Sequence, residues 1–251
     1  MPTSLFSLHG QRALVTGSSQ GIGLAIAKAL SHSGAQVVIN GRNQAKLDAI
    51  LSQENGEHPT MTAHAFDVTN PEAVQAAAAV IGPIDILVNN AGIQRRTPLI
   101  EATKADWDLV ISTNLTSAFL VGQAFAKTMI ERGSGKIINI CSVMSDLARP
   151  TTGPYTAAKG GLRMLTRAMC AEWAEHNIQI NGIAPGYITT ELTAPLANDP
   201  KFDAWIKART PSRRWGTVED LTGAAIFFAS PASNYLNGQI LAVDGGLSAV
   251  I

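Results

Sequence analysis

Cysteine is scarce in this sequence: Cys141 and Cys170 are the two thiols in 251 residues. Two thiols cannot build a disulfide framework, and each lies in an apolar segment, so both read as buried free cysteines of a reducing compartment. Net charge is missing as well. Nineteen basic residues balance nineteen acidic ones, which leaves no field to draw in nucleic acid or an anionic membrane. The five histidines are scattered, none at metal-ligand spacing from a cysteine or another histidine, so no metal site is expected. The first ten residues have neither the basic start nor the apolar run of a secretory leader. No stretch of about 18 uncharged apolar residues is evident, so no membrane span is expected. The chain reads as cytoplasmic, with no nucleic-acid or membrane partner.

What is present is a globular composition: 46% hydrophobic, 15% charged, with 22 glycines. This length suits one domain over residues 1–251. Short β-branched runs alternate with alanine-rich helical stretches. Strands are expected at Arg12–Thr16, Gln36–Asn40, His64–Val68, Ile84–Asn89, Lys136–Cys141, Gln179–Ile183 and Gln239–Val243. Helix starts stand out at Asn70-Pro71-Glu72 and at Thr103–Asp106. Seven strands alternating with helices predict a doubly wound α/β fold, a Rossmann-type parallel sheet with right-handed crossovers. One interruption, about residues 191–216 after strand six, holds three prolines. It leaves the carboxyl end of a strand, where ligands bind in such sheets, so it is a candidate lid.

Thr16-Gly17-Ser18-Ser19-Gln20-Gly21-Ile22-Gly23 lies between the first strand and its helix. Its glycines permit a tight turn and close backbone approach to a pyrophosphate, with the helix N-terminus behind supplying positive potential. Tyr155 and Lys159 are four residues apart on one helical face. An ammonium ~5 Å from a phenol at an effective dielectric of ~20 favours phenolate by about 3 kcal/mol. The pair is therefore expected to let Tyr155 exchange a proton near neutral pH.

The glycine spacing, Asn89-Asn90-Ala91-Gly92 after strand four, Asp67-Val68, and Pro185-Gly186 after strand six together resemble the short-chain dehydrogenase/reductase family over essentially the whole chain. The resemblance implies a nicotinamide dinucleotide held by Gly17, Ser19, Gln20, Gly21, Ile22 and Gly23, with Asp67 and Val68 at the adenine. Asn90, Ala91 and Gly92 would line the crevice, Pro185, Gly186, Ile188 and Thr190 would anchor the carboxamide, and Tyr155 and Lys159 would also touch the cofactor. It implies a catalytic tetrad of Asn114, Ser142, Tyr155 and Lys159, with Ser142 thirteen residues before Tyr155. In that tetrad Asn114 props open its helix and holds a water joining Lys159 to solvent. Hydride transfer between a secondary alcohol and a ketone would follow, in a homotetramer. Where the family's NAD-dependent members place an aspartate, this chain has Gly41 followed by Arg42. A guanidinium can pair with a 2′-phosphate, so NADP is expected, with NAD possible because Gln20 stands where some relatives carry a second basic residue.

Three further segments, at residues 91–96, 147–150 and 209–216, look like the branch of that family acting on gluconate. Arginine clamps carboxylates with paired N–H donors. Arg96 is accordingly the first candidate for a sugar-acid carboxylate and Arg149 the second, with Ser142 and Tyr155 at the reacting carbon. A 3-oxoacyl-thioester reductase, another polyol dehydrogenase and a non-catalytic dinucleotide sensor are the alternatives.

Overall fold

A computed structural model describes residues 5–54 and 61–250. Residues 1–4, on which part of the leader argument falls, lie outside the described residues. Seven strands form one sheet: β1 (Arg12–Val15), β2 (Gln36–Gly41), β3 (Met61–Ala65), β4 (Ile86–Asn89), β5 (Gly135–Ile140), β6 (Ile178–Pro185) and β7 (Ile240–Val243). All pairs are parallel, in the order β3-β2-β1-β4-β5-β6-β7. Chain direction across the sheet reverses between β1 and β4, which opens a crevice at their carboxyl ends. The central strands β4 and β5 are buried at every residue, their apolar side chains in the core and the polar Lys136 and Asn139 of β5 held by side-chain hydrogen bonds.

Helices cover both faces. They are α1 (Gly21–His32), α2 (Gln44–Glu54), α3 (Pro71–Ile81), α4 (Lys104–Ile111), α5 (Ser117–Arg132), α6 (Gly153–Trp173), α7 (Ala194–Ala197), α8 (Pro200–Arg209) and α9 (Thr222–Ala229). One core layer packs α1 and α9 against the sheet through Ile26, Leu30, Val15, Ile39 and Phe228. The other packs α3, α5 and α6 against the opposite face through Val74, Phe125, Met129, Leu87 and Met169. The two helix starts read from sequence are built as expected. Asn70 accepts the Ala73 amide at 2.7 Å, and Thr103 accepts the Asp106 amide at 3.0 Å.

Three expectations change. Strand three runs Met61–Ala65, not His64–Val68, because its pairing ends where β2 ends at Gly41. Phe66 and Val68 are still buried, but as core-facing loop residues beyond the last ladder bond, Phe66 N–H to Gly41 O. Cys170 is only half-buried; Cys141 is buried and both are free. The helical run Lys104–Arg132 is, contrary to the sequence expectation, long and apolar enough by length and composition to cross a bilayer. Half of its most apolar window is buried inside the fold, the pattern of a core helix.

That run is interrupted by a π turn at Ser112–Thr116, between α4 and α5. The segment after β6 is more ordered than a loop. It carries α7 and α8, and Asp199 caps α8 by accepting the Lys201 amide at 2.9 Å. It closes on itself through a parallel bridge between Ile188 and Gly216.

Candidate active site

The glycine loop is fixed from behind. Ser18 donates its amide to Asn40 O at 2.8 Å and its hydroxyl to Val15 O at 2.7 Å, while Gly17 N–H reaches Asn40 Oδ1 at 3.2 Å. Two glycines have steric causes. Gly17 has φ +61°, and a Cβ there would lie 2.7 Å from Ala91 Cα. At Gly23 a Cβ would lie 2.4 Å from Asn90 Nδ2 and 2.7 Å from Gly17 O. Helix α1 begins at Gly21 with no side-chain cap and no acid in its own first turn, so its leading N–H groups lack intrahelical partners, while the Glu191 carboxylate from the segment after β6 lies beside Gly21.

Asn90 also braces the loop. Its Nδ2 donates to Thr16 O at 3.0 Å and Gly17 O at 2.9 Å, and the residue stays partly exposed. Val68 packs its side chain in the core, and so does Ile188, leaving both with only backbone for a ligand. Asp67 accepts from Thr69 N–H at 2.8 Å and Thr69 Oγ1 at 2.7 Å. Burial raises its pKa, but the Thr69 bonds and the nearby Arg42 charge outweigh that and hold it below the usual carboxylate value.

Arg42 is exposed at the end of β2. Beside it, Lys46 in the first turn of α2 donates its ammonium to Gln20 Oε1 of the glycine loop. A second cation therefore reaches the loop from the neighbouring helix. The sequence held the signal, since Lys46 is four residues beyond Arg42, but only the fold brings α2 beside Gln20.

At the other end of the crevice stand Asn114, Ser142, Tyr155 and Lys159. Asn114 sits in the π turn, where its Nδ2 donates to Val110 O and Ile93 O, both at 2.9 Å. Its buried Oδ1 finds no partner among the described residues. That oxygen would touch a Cβ at Gly92 at 2.6 Å, which explains the glycine there. Ser142 follows β5; its hydroxyl accepts the Met144 amide at 3.1 Å. Ser145 ties the two halves together by accepting Ser142 N–H at 3.3 Å and donating to Lys159 O at 3.0 Å.

The electrostatics of the pair differ from the sequence expectation. Lys159 is buried and donates to Ile140 O at 2.6 Å, with its nitrogen 5.6 Å from the Tyr155 ring centre. Burial pushes Lys159 down to about 8. Burial also raises the Tyr155 pKa, against a lowering hydrogen bond from Ser142 and the Arg96 charge. In the free protein Tyr155 is thus a protonated phenol, not a phenolate, because the desolvation of its anion exceeds what the Ser142 hydrogen bond and the Arg96 charge return. Burial likewise lifts the Cys141 thiol to about 11, so it is no nucleophile at neutral pH.

Next to Ser142 and Tyr155 the structure opens a pocket into which Arg96, Arg149 and Tyr187 converge. Arg96 Nε, Arg149 Nε and Tyr187 Oη are buried and unpartnered among the described residues. The Arg149 guanidinium lies 4.7 Å from the ring centre of Phe202 on α8, which docks the segment after β6 over the pocket. Arg95 turns outward to Asp106 at 3.8 Å, a solvent-exposed pair. The arginines of the 209–216 stretch are also committed elsewhere: Arg209 to Val250 O, Arg213 to Ala208 O, and Arg214 to both carboxylate oxygens of Asp220. Trp215 is buried and donates to Asp203 at 2.9 Å, whereas Trp205 stays 45% exposed. Tyr187 escaped sequence analysis although both its neighbours, Gly186 and Ile188, were singled out. Its role depends on what its ring packs against, which no local motif encodes.

Residues 17–248 match the family described as Enoyl-(Acyl carrier protein) reductase. The chain is 54% identical over 248 residues to gluconate 5-dehydrogenase of Gluconobacter oxydans (strain 621H), covering 97% of each chain. It is 49% identical over 247 residues to 5-keto-D-gluconate 5-reductase of Escherichia coli (strain K12), again covering 97% of each. The crystal structure of a gluconate 5-dehydrogenase from Burkholderia cenocepacia J2315, in complex with NADP and tartrate, superposes with a TM-score of 0.96 at 50% identity over 100% of both chains.

Proposed function

The chain belongs to the short-chain dehydrogenase/reductase family of oxidoreductases, and from that premise we propose that it interconverts D-gluconate and 5-keto-D-gluconate with NADP(H). One observation carries the substrate class: two half-buried arginines, Arg96 and Arg149, each with a buried and unpartnered Nε, line the pocket that holds Ser142 and Tyr155. Guanidinium forks match a carboxylate, and an unpaired buried cation is stabilised by receiving one. Relatives named for gluconate and 5-keto-D-gluconate support the same choice.

The crevice fits the dinucleotide. A Cβ at Gly17 or Gly23 would collide with the loop's own support, and the uncapped start of α1 offers N–H groups to a pyrophosphate. Gly41 lies against Ser19, where a Cβ would come within 3.3 Å of it, and Arg42 and Lys46 flank that corner as partners for a 2′-phosphate. Bound there, NADP(H) supplies or accepts the hydride. The rest is the work of side chains. Tyr155 holds the proton that the substrate oxygen needs in reduction, as a phenol kept neutral by its surroundings. Ser142 hydrogen-bonds the same oxygen as charge develops on it. Lys159 and the unpartnered Asn114 Oδ1 are placed to pass the proton back from solvent. The segment from Glu191 to Gly216 acts as the lid of this single domain, latched by Arg149 on Phe202. Exposed apolar side chains on α5 and α6, Phe119 and Met164, and Leu241 on the edge strand β7, support assembly as a homotetramer.

Initial rates of 5-keto-D-gluconate reduction with NADPH and with NADH test this function. Turnover with NADPH well above NADH is expected; no turnover by protein that binds NADPH rejects the sugar-acid assignment and favours acyl thioesters or other polyols. For the cofactor, Arg42→Ala is expected to raise the NADPH dissociation constant by about 10- to 100-fold, the worth of one charge-assisted bond. Lys46→Ala should cost less, since its ammonium is shared with Gln20. NADH binding should shift by less than about threefold in both. Equal losses for the two cofactors, measured by fluorescence titration, would remove the 2′-phosphate from this corner.

A further inference from the structure

We infer that Tyr187 selects the sugar acid, its hydroxyl hydrogen-bonding a substrate hydroxyl that lies between the carboxylate and the reacting carbon. This rests on the sugar-acid function proposed above and adds to it a specificity-determining residue.

The ring of Tyr187 is fixed by three edge-on aromatic contacts. It meets Phe202 at 5.6 Å and 64°, Trp205 at 6.3 Å and 90°, and Trp215 at 5.7 Å and 84°. Edge-to-face packing on this scale holds a ring in one orientation. The hydroxyl it carries is buried and has no hydrogen-bond partner among the described residues. A buried phenol normally finds a partner, so one left open in a pocket points to a ligand group. Arg96, Arg149, Ser142 and Tyr155 line the same pocket, and the two arginines are close enough to act on the Tyr187 hydroxyl.

Chemistry narrows what that group is. Both guanidiniums are donors only and suit a carboxylate. Ser142 and Tyr155 serve the reacting oxygen. A polyol chain between those two ends carries hydroxyls that both donate and accept; the pocket's Thr152 and Thr193 hydroxyls already serve backbone carbonyls, whereas that of Tyr187 is unpartnered and can do the same. Burial raises its pKa against the lowering influence of Arg149 and Arg96, which keeps the proton on the oxygen and the group able to donate as well as accept. The result is a three-part ruler: charge at one end, redox centre at the other, and a hydroxyl read in between.

The test compares the unsubstituted enzyme with Tyr187→Phe on 5-keto-D-gluconate and on its 2-deoxy, 3-deoxy and 4-deoxy analogues, with NADPH binding measured in parallel. Phenylalanine retains every ring contact, so the pocket wall stays in place. The variant should lose about 10- to 100-fold in kcat/KM on the full substrate. It should lose less than about threefold on whichever deoxy analogue lacks the hydroxyl being read, with unchanged NADPH affinity. Equal losses on all four substrates, or a loss of NADPH binding, would show a merely structural tyrosine and overturn the inference. Turnover of none of the four by the unsubstituted enzyme would overturn the sugar-acid function and this inference with it. Normal turnover of all four with no effect of the substitution would overturn the inference alone.

Discussion

Tyr155→Phe is expected to lower kcat for ketone reduction by about 10³-fold, the middle of the range for losing a positioned general acid. Two features make the loss large. On the proposed function the phenol is the group that gives its proton to the reacting oxygen, and burial, outweighing the lowering by Ser142 and Arg96, keeps it protonated at neutral pH. Neither neighbour is a substitute. Burial brings the Lys159 ammonium to about 8, but its proton is directed at Ile140 O, and the Cys141 thiol is lifted by burial to about 11. The loss should therefore persist from about pH 6 to 10, because phenylalanine has nothing to titrate. NADPH affinity should stay within about threefold, since the glycine loop and Arg42 are untouched. Stopped-flow or steady-state reduction assays on the variant decide this. A kcat within tenfold of the parent would move the acid role to another group.

Arg96→Leu is the second large effect. Its side chain lies with Arg149 against the pocket, and burial, then the Arg149 charge, pull its pKa down. A cation held at such a cost gains most from an anionic ligand. Losing it should raise KM for the sugar acid by about 100-fold while kcat changes little, the signature of binding shared by ground and transition states. Arg149→Leu should cost nearer tenfold, because its guanidinium already has the Phe202 ring as a partner. A keto-polyol of equal length without the carboxylate is the control, on which both variants should match the parent. A fall in kcat with constant KM, or an equal penalty on the uncharged control, would end the carboxylate assignment.

The contrast between Arg95 and Arg96 shows how little of this second site is local. The two are adjacent in sequence and chemically identical, yet one pairs with Asp106 at the surface and the other enters the pocket. Nothing in the loop's composition separates them; the turn of the backbone after β4 does. The arginine-rich stretch at residues 209–216 makes the same point in reverse. Its charges looked fit for an anionic substrate, but they satisfy carbonyls and Asp220 within the lid and at its base.

The alternation of seven strands with helices, the glycine loop and the spacing of Asn114, Ser142, Tyr155 and Lys159 were determined by sequence alone. Each depends on short-range rules: alternation of strand and helix, a turn that tolerates only glycine, and residues one helical turn apart. The edge strand β3 was misplaced by three residues because its limits come from its partner, β2, and not from its own composition. Tertiary structure alone decided the protonation of Tyr155, where desolvation outweighed the charge that a helical spacing had suggested. It also tied Asn90 to the glycine loop, carried Lys46 to Gln20, and brought Tyr187 to a pocket shared with two arginines from distant loops. The physical reason is common to all four. Burial and through-space contact between segments far apart in the chain set them, and neither leaves a period or a motif in the sequence.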